Sequence, residues 1–323
     1  MSSPARFIPA LCGALLCAWG AGAVRAQDPP AVFPDHPVRL VVPFSAGSQS
    51  DILARAYGEE LSVLWGQPLI IDNRPGLPGT ASVAKAPADG YTLMAISNGH
   101  TIIGALNDRL AFDPVKDFSG VARIAVVPGI FVAPPTLGAE TLAQVIAMAK
   151  ARPGALNYAS AGLGSASSIA VELLKRQAGI DLAHVPYKGL PEANLSIMRG
   201  EAQLFMTFYS ASADLIRDNR LHALAVTGAK RLAALPDVPT IGEAGLRTYD
   251  FEPWFGILAP AGTSLAAREK IARDINAAAQ SPKLKMLFEK LGVNLDTLGP
   301  EAFDALVSRD TQSFSNLFAR GAK

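Results

Sequence analysis

The sequence predicts two α/β lobes, each a mostly parallel sheet flanked by helices. Short apolar runs alternate with segments of helical spacing along most of the chain after residue 34, the pattern of strands and helices that build layered α/β structure. The first of these runs, Val38–Val42, is apolar apart from Arg39 and reads as a strand buried on both faces. Two apolar segments bracketed by prolines and glycines, residues 126–134 and 253–260, interrupt the alternation and read as crossings between lobes. The first lobe is therefore expected at 34–128 plus 257–323, using both ends of the chain, and the second at 129–256.

The elements follow in order. Residues 38–42 form a strand and 51–65 a helix with Leu53, Ala56, Tyr57, Leu61 and Leu64 on one side, stopped by Gly66 and Pro68. A strand at 69–72, a Pro/Gly loop at 75–79, a short helix and a strand at 92–96 come next. The second lobe opens with a helix at 141–150 and a strand at 156–160. A helix follows with Ile169, Val171, Leu173, Leu174 and Ala178 near one face and Glu172, Lys175 and Arg176 largely opposite. Strands at 182–185, 204–206 and 223–226 alternate with helices at 192–199 and 211–217. Helices at 265–280, 283–291 and 300–317 complete the chain.

The first 26 residues read as a secretory signal peptide. Arg6 precedes a small and apolar run from Phe7 to Val24, and Val24-Arg25-Ala26 fits a small-x-small cleavage site. The strongly apolar part is shorter than the roughly 20 residues of a spanning helix. Cleavage after Ala26 removes Cys12 and Cys17, so disulfide and thiol chemistry are not expected in the mature chain. It also removes Arg6 and Arg25, which leaves 27 basic against 28 acidic residues, a net charge of −1. That balance gives no electrostatic reason to bind nucleic acid or an anionic membrane. A soluble protein outside the cytoplasmic membrane, in the periplasm, is expected.

The segment 155–178 carries the clearest binding signal. Between its strand and helix lie Gly162, Gly164, Ser165, Ser167 and Ser168. Such a turn aims unpaired backbone N–H groups and the positive end of a helix dipole at one point, an anion site without a charged side chain. In a parallel sheet the ligand crevice lies beyond the carboxyl ends of the strands. Ser45-Ala46-Gly47-Ser48-Gln49-Ser50, Ser97-Asn98-Gly99-His100-Thr101, Pro186-Tyr187-Lys188-Gly189 and Thr207-Phe208-Tyr209-Ser210 stand at four other strand ends. Ser, Asn and Gly are also ordinary caps and turn residues; their coincidence on one rim argues for a site. Asp51 reads as a helix-start residue, and Lys188 and Arg74 as solvated or structural cations.

Catalytic and metal constellations are not visible. His36, His100, His184 and His222 lack metal-ligand spacing, and no Gly-x-Ser-x-Gly elbow occurs. Gly162-Leu163-Gly164-Ser165-Ala166-Ser167 has Ser167 where a dinucleotide fingerprint needs its third glycine. No cofactor, metal or catalytic residue is expected. An exported hydrolase or lyase using Ser165 or His100 remains the competing class, and a sensor presenting its loaded form to a signalling partner is a further alternative.

The chain resembles the extracytoplasmic solute receptors of tripartite tricarboxylate transporters, the Bug-type binding proteins. The resemblance runs through Pro37-Val38-Arg39-Leu40-Val41-Val42-Pro43-Phe44, Asn73-Arg74-Pro75-Gly76, Ala88-Asp89-Gly90-Tyr91-Thr92-Leu93 and Leu156-Asn157-Tyr158-Ala159-Ser160-Ala161-Gly162. It continues in His184-Val185-Pro186-Tyr187-Lys188-Gly189, Leu235-Pro236-Asp237-Val238-Pro239-Thr240 and Trp254-Phe255-Gly256. It implies a type II periplasmic-binding-protein (Venus flytrap) fold, a carboxylate held by loop N–H groups, hydroxyls and waters, and membrane permease subunits as partners. A monomer is expected.

The candidate ligand-binding residues are then Ser45, Ala46, Gly47 and Ser48 in the first loop, with Ser97, Asn98 and His100 in the second. The opposite lobe supplies Ser160, Ala161, Gly164, Ser165, Ala166, Tyr187, Thr207 and Phe208. Two departures from the family pattern bear on the ligand. The first loop carries Ser48-Gln49-Ser50 where relatives usually have glycines. Thr207 takes a commonly acidic position, and Phe208 and Tyr209 add aromatic surface. A site without that carboxylate suits an amino-acid ammonium poorly, and an aromatic wall favours a flat apolar body. The expected ligand is a small mono- or dicarboxylate, with terephthalate-like acids leading.

Overall fold

A computed structural model describes residues 33–319 apart from 108, 163, 164 and 250. The expected signal peptide, both cysteines and the candidate Gly164 lie outside the described residues. The chain begins with β1 (Val38–Val42), α1 (Gln49–Trp65), β2 (Leu69–Asn73), α2 (Leu77–Ala84) and β3 (Thr92–Ser97). A 3-10 turn at Asn98–Ile102, the short α3 (Ile103–Leu106) and β4 (Phe118–Val126) follow. Then come β5 (Gly129–Ala133), α4 (Leu142–Ala151), β6 (Asn157–Ser160), α5 (Ala166–Ala178) and β7 (Ala183–Pro186). After these run α6 (Leu190–Met198), β8 (Leu204–Phe208), α7 (Tyr209–Arg217) and β9 (His222–Val226). The chain closes with β10 (Trp254–Pro260), α8 (Leu265–Ala278), α9 (Pro282–Leu291) and α10 (Pro300–Ala319).

Two five-stranded sheets result, ordered β2-β1-β3-β10-β4 and β7-β6-β8-β5-β9. β1 pairs parallel with β2 and β3, and β10 pairs antiparallel with both β3 and β4, so four strands point one way. In the second sheet β6 pairs parallel with β7 and β8, while β5 runs antiparallel to β8 and β9. Each sheet is mostly parallel in strand direction with one reversed strand, and helices flank both.

The reversed strands correct the expected crossings. Residues 129–133 and 254–260 are β5 and β10, buried at every position, so no polar alternation marked them as strands. The chain leaves the first sheet between Val126 and Gly129. Beside this crossing the Val127 N–H donates to the Pro253 carbonyl at 2.8 Å, which sets the outgoing and returning segments side by side. β10 belongs wholly to the first sheet, so a boundary between residues 256 and 257 would cut a strand. The return lies before Trp254.

Local capping explains where the helices that frame the cleft begin. Ser48 caps α1, its Oγ accepting from Asp51 N–H at 3.2 Å, and Ser165 caps α5, its Oγ accepting from Ser168 N–H at 3.3 Å. Gly162 takes φ +112° between β6 and α5, a conformation that side chains other than glycine rarely tolerate. The turn is tight for that reason.

Candidate functional site

The carboxyl ends of β1, β3, β6, β7 and β8 converge on one cleft between the sheets. Its inner part is a chamber of about 30 Å³. Ser48, Gln49 and Ser50 line it at the start of α1, and Ser97 at the end of β3. Ala161, Ser165, Ala166 and Ser167 line it at the start of α5. Phe44, Leu190, Phe208 and Phe255 form its walls, with Phe208 and Phe255 packed edge to face across the sheets at 5.6 Å. None of these side chains carries a charge. The first-turn amides of a helix have no acceptor within the helix, so two positive helix ends meet in an uncharged box.

Phe44, Ser97 and Ala161 also border an outer cavity of about 560 Å³. Pro43, Leu77, Ile96 and Ile103 give it apolar walls; Tyr187, His100, Thr80 and Asn107 supply polar edges. Lys188 is its one formally charged lining residue among the described residues. A water needs roughly 10–15 Å³ of such space. The inner chamber therefore admits a carboxylate-sized group, and a larger body has room only outside it.

The acid near the first loop, Asp51, is turned onto its own loop and away from the chamber lining. Asp51 is 3% exposed. Its Oδ2 accepts from Gly47 N–H at 2.9 Å and Arg55 Nε at 3.0 Å, and its Oδ1 from Asn73 Nδ2 at 2.9 Å. Burial pushes its pKa up, but the Arg55, Gly47 and Asn73 hydrogen bonds together hold it below the usual value. Asp51 thus anchors the loop and is neutralised where it stands.

The connection from β6 to α5 is stiffened by its own hydroxyls. Ser165 Oγ donates to the Gly162 carbonyl at 2.7 Å and lies 2.9 Å from Ser167 Oγ, which accepts from Ala161 N–H at 2.9 Å. Ser160 is fully buried behind the loop, 2.7 Å from His184 Nε2, and His184 stacks on Tyr158 at 4.5 Å. Tyr158 in turn donates to Glu172 at 2.6 Å.

His100 is 4% exposed, and its Nε2 donates to the Pro114 carbonyl at 2.7 Å. This bond assigns the proton of the neutral ring to Nε2. Burial lowers its pKa to about 4, against an ordinary 6.5. The unfolded chain therefore takes a proton near pH 6.5 that the folded chain refuses until about pH 4. Stability falls as pH drops through that window, by about 2 kcal/mol at pH 5 and about 3 kcal/mol at its lower end. Urea midpoints at pH 7.5 and pH 5 measure this loss. His100→Gln, which keeps a donor for Pro114, is expected to remove most of it. An unchanged slope in that variant would refute the assignment. His184, also shifted down by burial, leaves a residue of the same sign.

The sequence-derived candidates separate into three groups. Ser48, Ser97, Ala161, Ser165, Ala166 and Phe208 line the inner chamber, and His100 and Tyr187 the outer cavity. Ser45, Ala46 and Gly47 line neither space, Ser45 being half-buried and Ala46 and Gly47 exposed. Ser45 Oγ donates to the Lys188 carbonyl at 2.9 Å across the cleft. Asn98, Ser160 and Thr207 are buried and line neither space. The lining of the first loop is shifted towards α1, so Gln49 and Ser50 were not among the candidates; nor were Ser167 at the start of α5 and the wall residues Phe44, Leu190 and Phe255. Tyr209 starts α7 near Gly292 and lines neither cavity.

Two α/β sheets closing on a small uncharged chamber define a solute-binding protein rather than a scaffold with a surface site. Residues 53–309 match the tripartite tricarboxylate transporter family receptor, and the chain belongs to that family. It is 32% identical over 324 residues to the UPF0065 protein in the TAR-I ttuE-ttuC' intergenic region of Agrobacterium vitis, covering 98% of this chain and 92% of that one. Among solved structures it is similar to R. palustris Rpa4515 with adipate, at TM-score 0.83 and 32% identity over 89% of this chain and 97% of that one. It is also similar to MatC (Rpa3494) from Rhodopseudomonas palustris with bound malate, at TM-score 0.82 and 28% identity over 88% and 100%.

Proposed function

We propose that this protein is a periplasmic receptor that captures a small carboxylate with an apolar body, a terephthalate-like aromatic diacid foremost, and delivers it to membrane permease subunits. The observation that carries this is the uncharged inner chamber between two helix N-termini, opening onto an apolar outer cavity. One carboxylate sits in the chamber, held by first-turn amides and serine hydroxyls. The body leaves past Phe44 into the outer cavity, and a second carboxylate reaches the rim near Lys188. Adipate and malate on the two similar structures support carboxylates as the ligand class. Micromolar affinity, about −8 kcal/mol, needs only a few hydrogen bonds to the charged group at roughly 1.5–3 kcal/mol each.

The two sheets act as lobes, 34–128 with the C-terminal part from β10 onward, and 129 to the residues before Trp254. Ser45–Lys188 and Gln49–Ser210 hydrogen bonds join them. The competing reading as a hydrolase draws no support from its proposed groups. Ser165 Oγ donates to Gly162 and His100 Nε2 to Pro114, so neither is paired with the other. Thermal-shift and calorimetric titration with terephthalate, adipate, malate, citrate and aspartate tests the proposal. Terephthalate or adipate is expected to bind tightest, and the acid to be released unchanged. Preference for citrate or aspartate over the apolar diacids would refute the ligand assignment.

A further inference from the structure

Gln49 opens α1, is 2% exposed and lines the inner chamber. Its Oε1 accepts a hydrogen bond from Ser210 Oγ in the first turn of α7, on the opposite side of the cleft. Its Nε2 has no hydrogen-bond partner among the described residues. A buried donor without an acceptor is costly, and an acceptor placed in the chamber removes that cost.

The geometry points to Gln49 as a specificity-determining residue of this cleft, donating from Nε2 to an anionic oxygen held between the two helix N-termini, with Ser210 fixing the amide so that its carbonyl faces away. This rests on the carboxylate reading above. Ser210 holds the amide oxygen, and the group left without a partner is the Nε2 donor. What Gln49 offers the chamber is therefore a donor, like the first-turn amides beside it. Such a site selects a group that only accepts, an ionised carboxylate, over a hydroxyl, an ammonium or a carboxamide that brings hydrogens of its own. The same side chain touches the ligand and bonds across the cleft, so occupancy favours closure.

Calorimetry with adipate, malate, terephthalate and benzoate tests the assignment on the purified protein, using whichever of the four binds the wild type best. Gln49→Leu is expected to weaken that acid roughly ten- to hundredfold without lowering the ligand-free melting temperature. Gln49→Glu keeps an acceptor for Ser210 but replaces the donor with a negative charge, and is expected to weaken binding further. Ser210→Ala gives a smaller loss, and the Gln49→Leu/Ser210→Ala pair loses no more than Gln49→Leu alone, because Ser210 acts through Gln49. Ser210→Thr restores the wild-type affinity. Wild-type affinity in both Gln49 variants overturns the assignment while leaving the carboxylate reading intact. Additive losses in the pair overturn the role of Ser210. A wild type that binds none of the four acids overturns the carboxylate reading and this assignment with it.

Discussion

Ala161→Asp is expected to weaken carboxylate binding by at least about a hundredfold, near 2.7 kcal/mol. Ala161 borders both the inner chamber and the outer cavity and is 8% exposed. A carboxylate there occupies the space proposed for the ligand's own and meets the same two helix ends. Its charge is neutralised by those dipoles, so the ligand-free protein should melt no lower than the wild type. Ala161→Asn, of similar size and uncharged, separates charge from bulk and is expected to lose less. Isothermal titration of both variants is the measurement. Undiminished binding to Ala161→Asp would place the ligand elsewhere.

Gly256→Ala is expected to destabilise the fold by about 3 kcal/mol, at the upper end of ordinary overpacking. Gly256 lies in β10, the reversed strand of the first sheet, where a Cβ would overlap the Phe303 ring and stand 2.9 Å from the Ala122 carbonyl oxygen. Phe303, on α10, is fully buried and packs edge to face on Trp254 at 5.3 Å. The glycine therefore lets the C-terminal helix lie directly on the strand. Phe303→Leu should recover part of the loss, giving a double variant more stable than the sum of single effects predicts. Urea denaturation of the three variants decides it; additive costs would show that the carbonyl, not the ring, is the obstacle.

Much of this architecture was legible because it is locally encoded. The 3.6-residue spacing of Ile169, Leu173 and their neighbours, the stop at Gly66 and Pro68, and the serine-rich turns after the strands are properties of short windows. They located α1, α5 and the strands β1, β2, β3, β6, β7, β8 and β9 within a few residues. The two helix N-termini that line the chamber were readable for the same reason, since caps and glycines lie next to the amides they free. β4, β5 and β10 were not recognised, because strands buried on both faces, or nearly so, lack the polar alternation that separates a strand from an apolar connection. Gln49 stood out as part of an unusual loop but not as a chamber residue, because the helix was expected to begin only at Asp51, two residues beyond where α1 starts.

What the sequence by itself determined is the alternation of strands and helices, the two turns that open α1 and α5, and membership of a recognisable receptor family. Only the tertiary structure decided which side chains share the chamber. Ser45 meets Lys188 across 143 residues of chain, and Gln49 meets Ser210 across 161. It also turned Asp51 onto Gly47, Arg55 and Asn73 and left Gln49 facing inwards. Periodicity and capping are set by neighbours in sequence. The lining of a cleft is set by how the two sheets pack against each other, and no short window of sequence contains both sides.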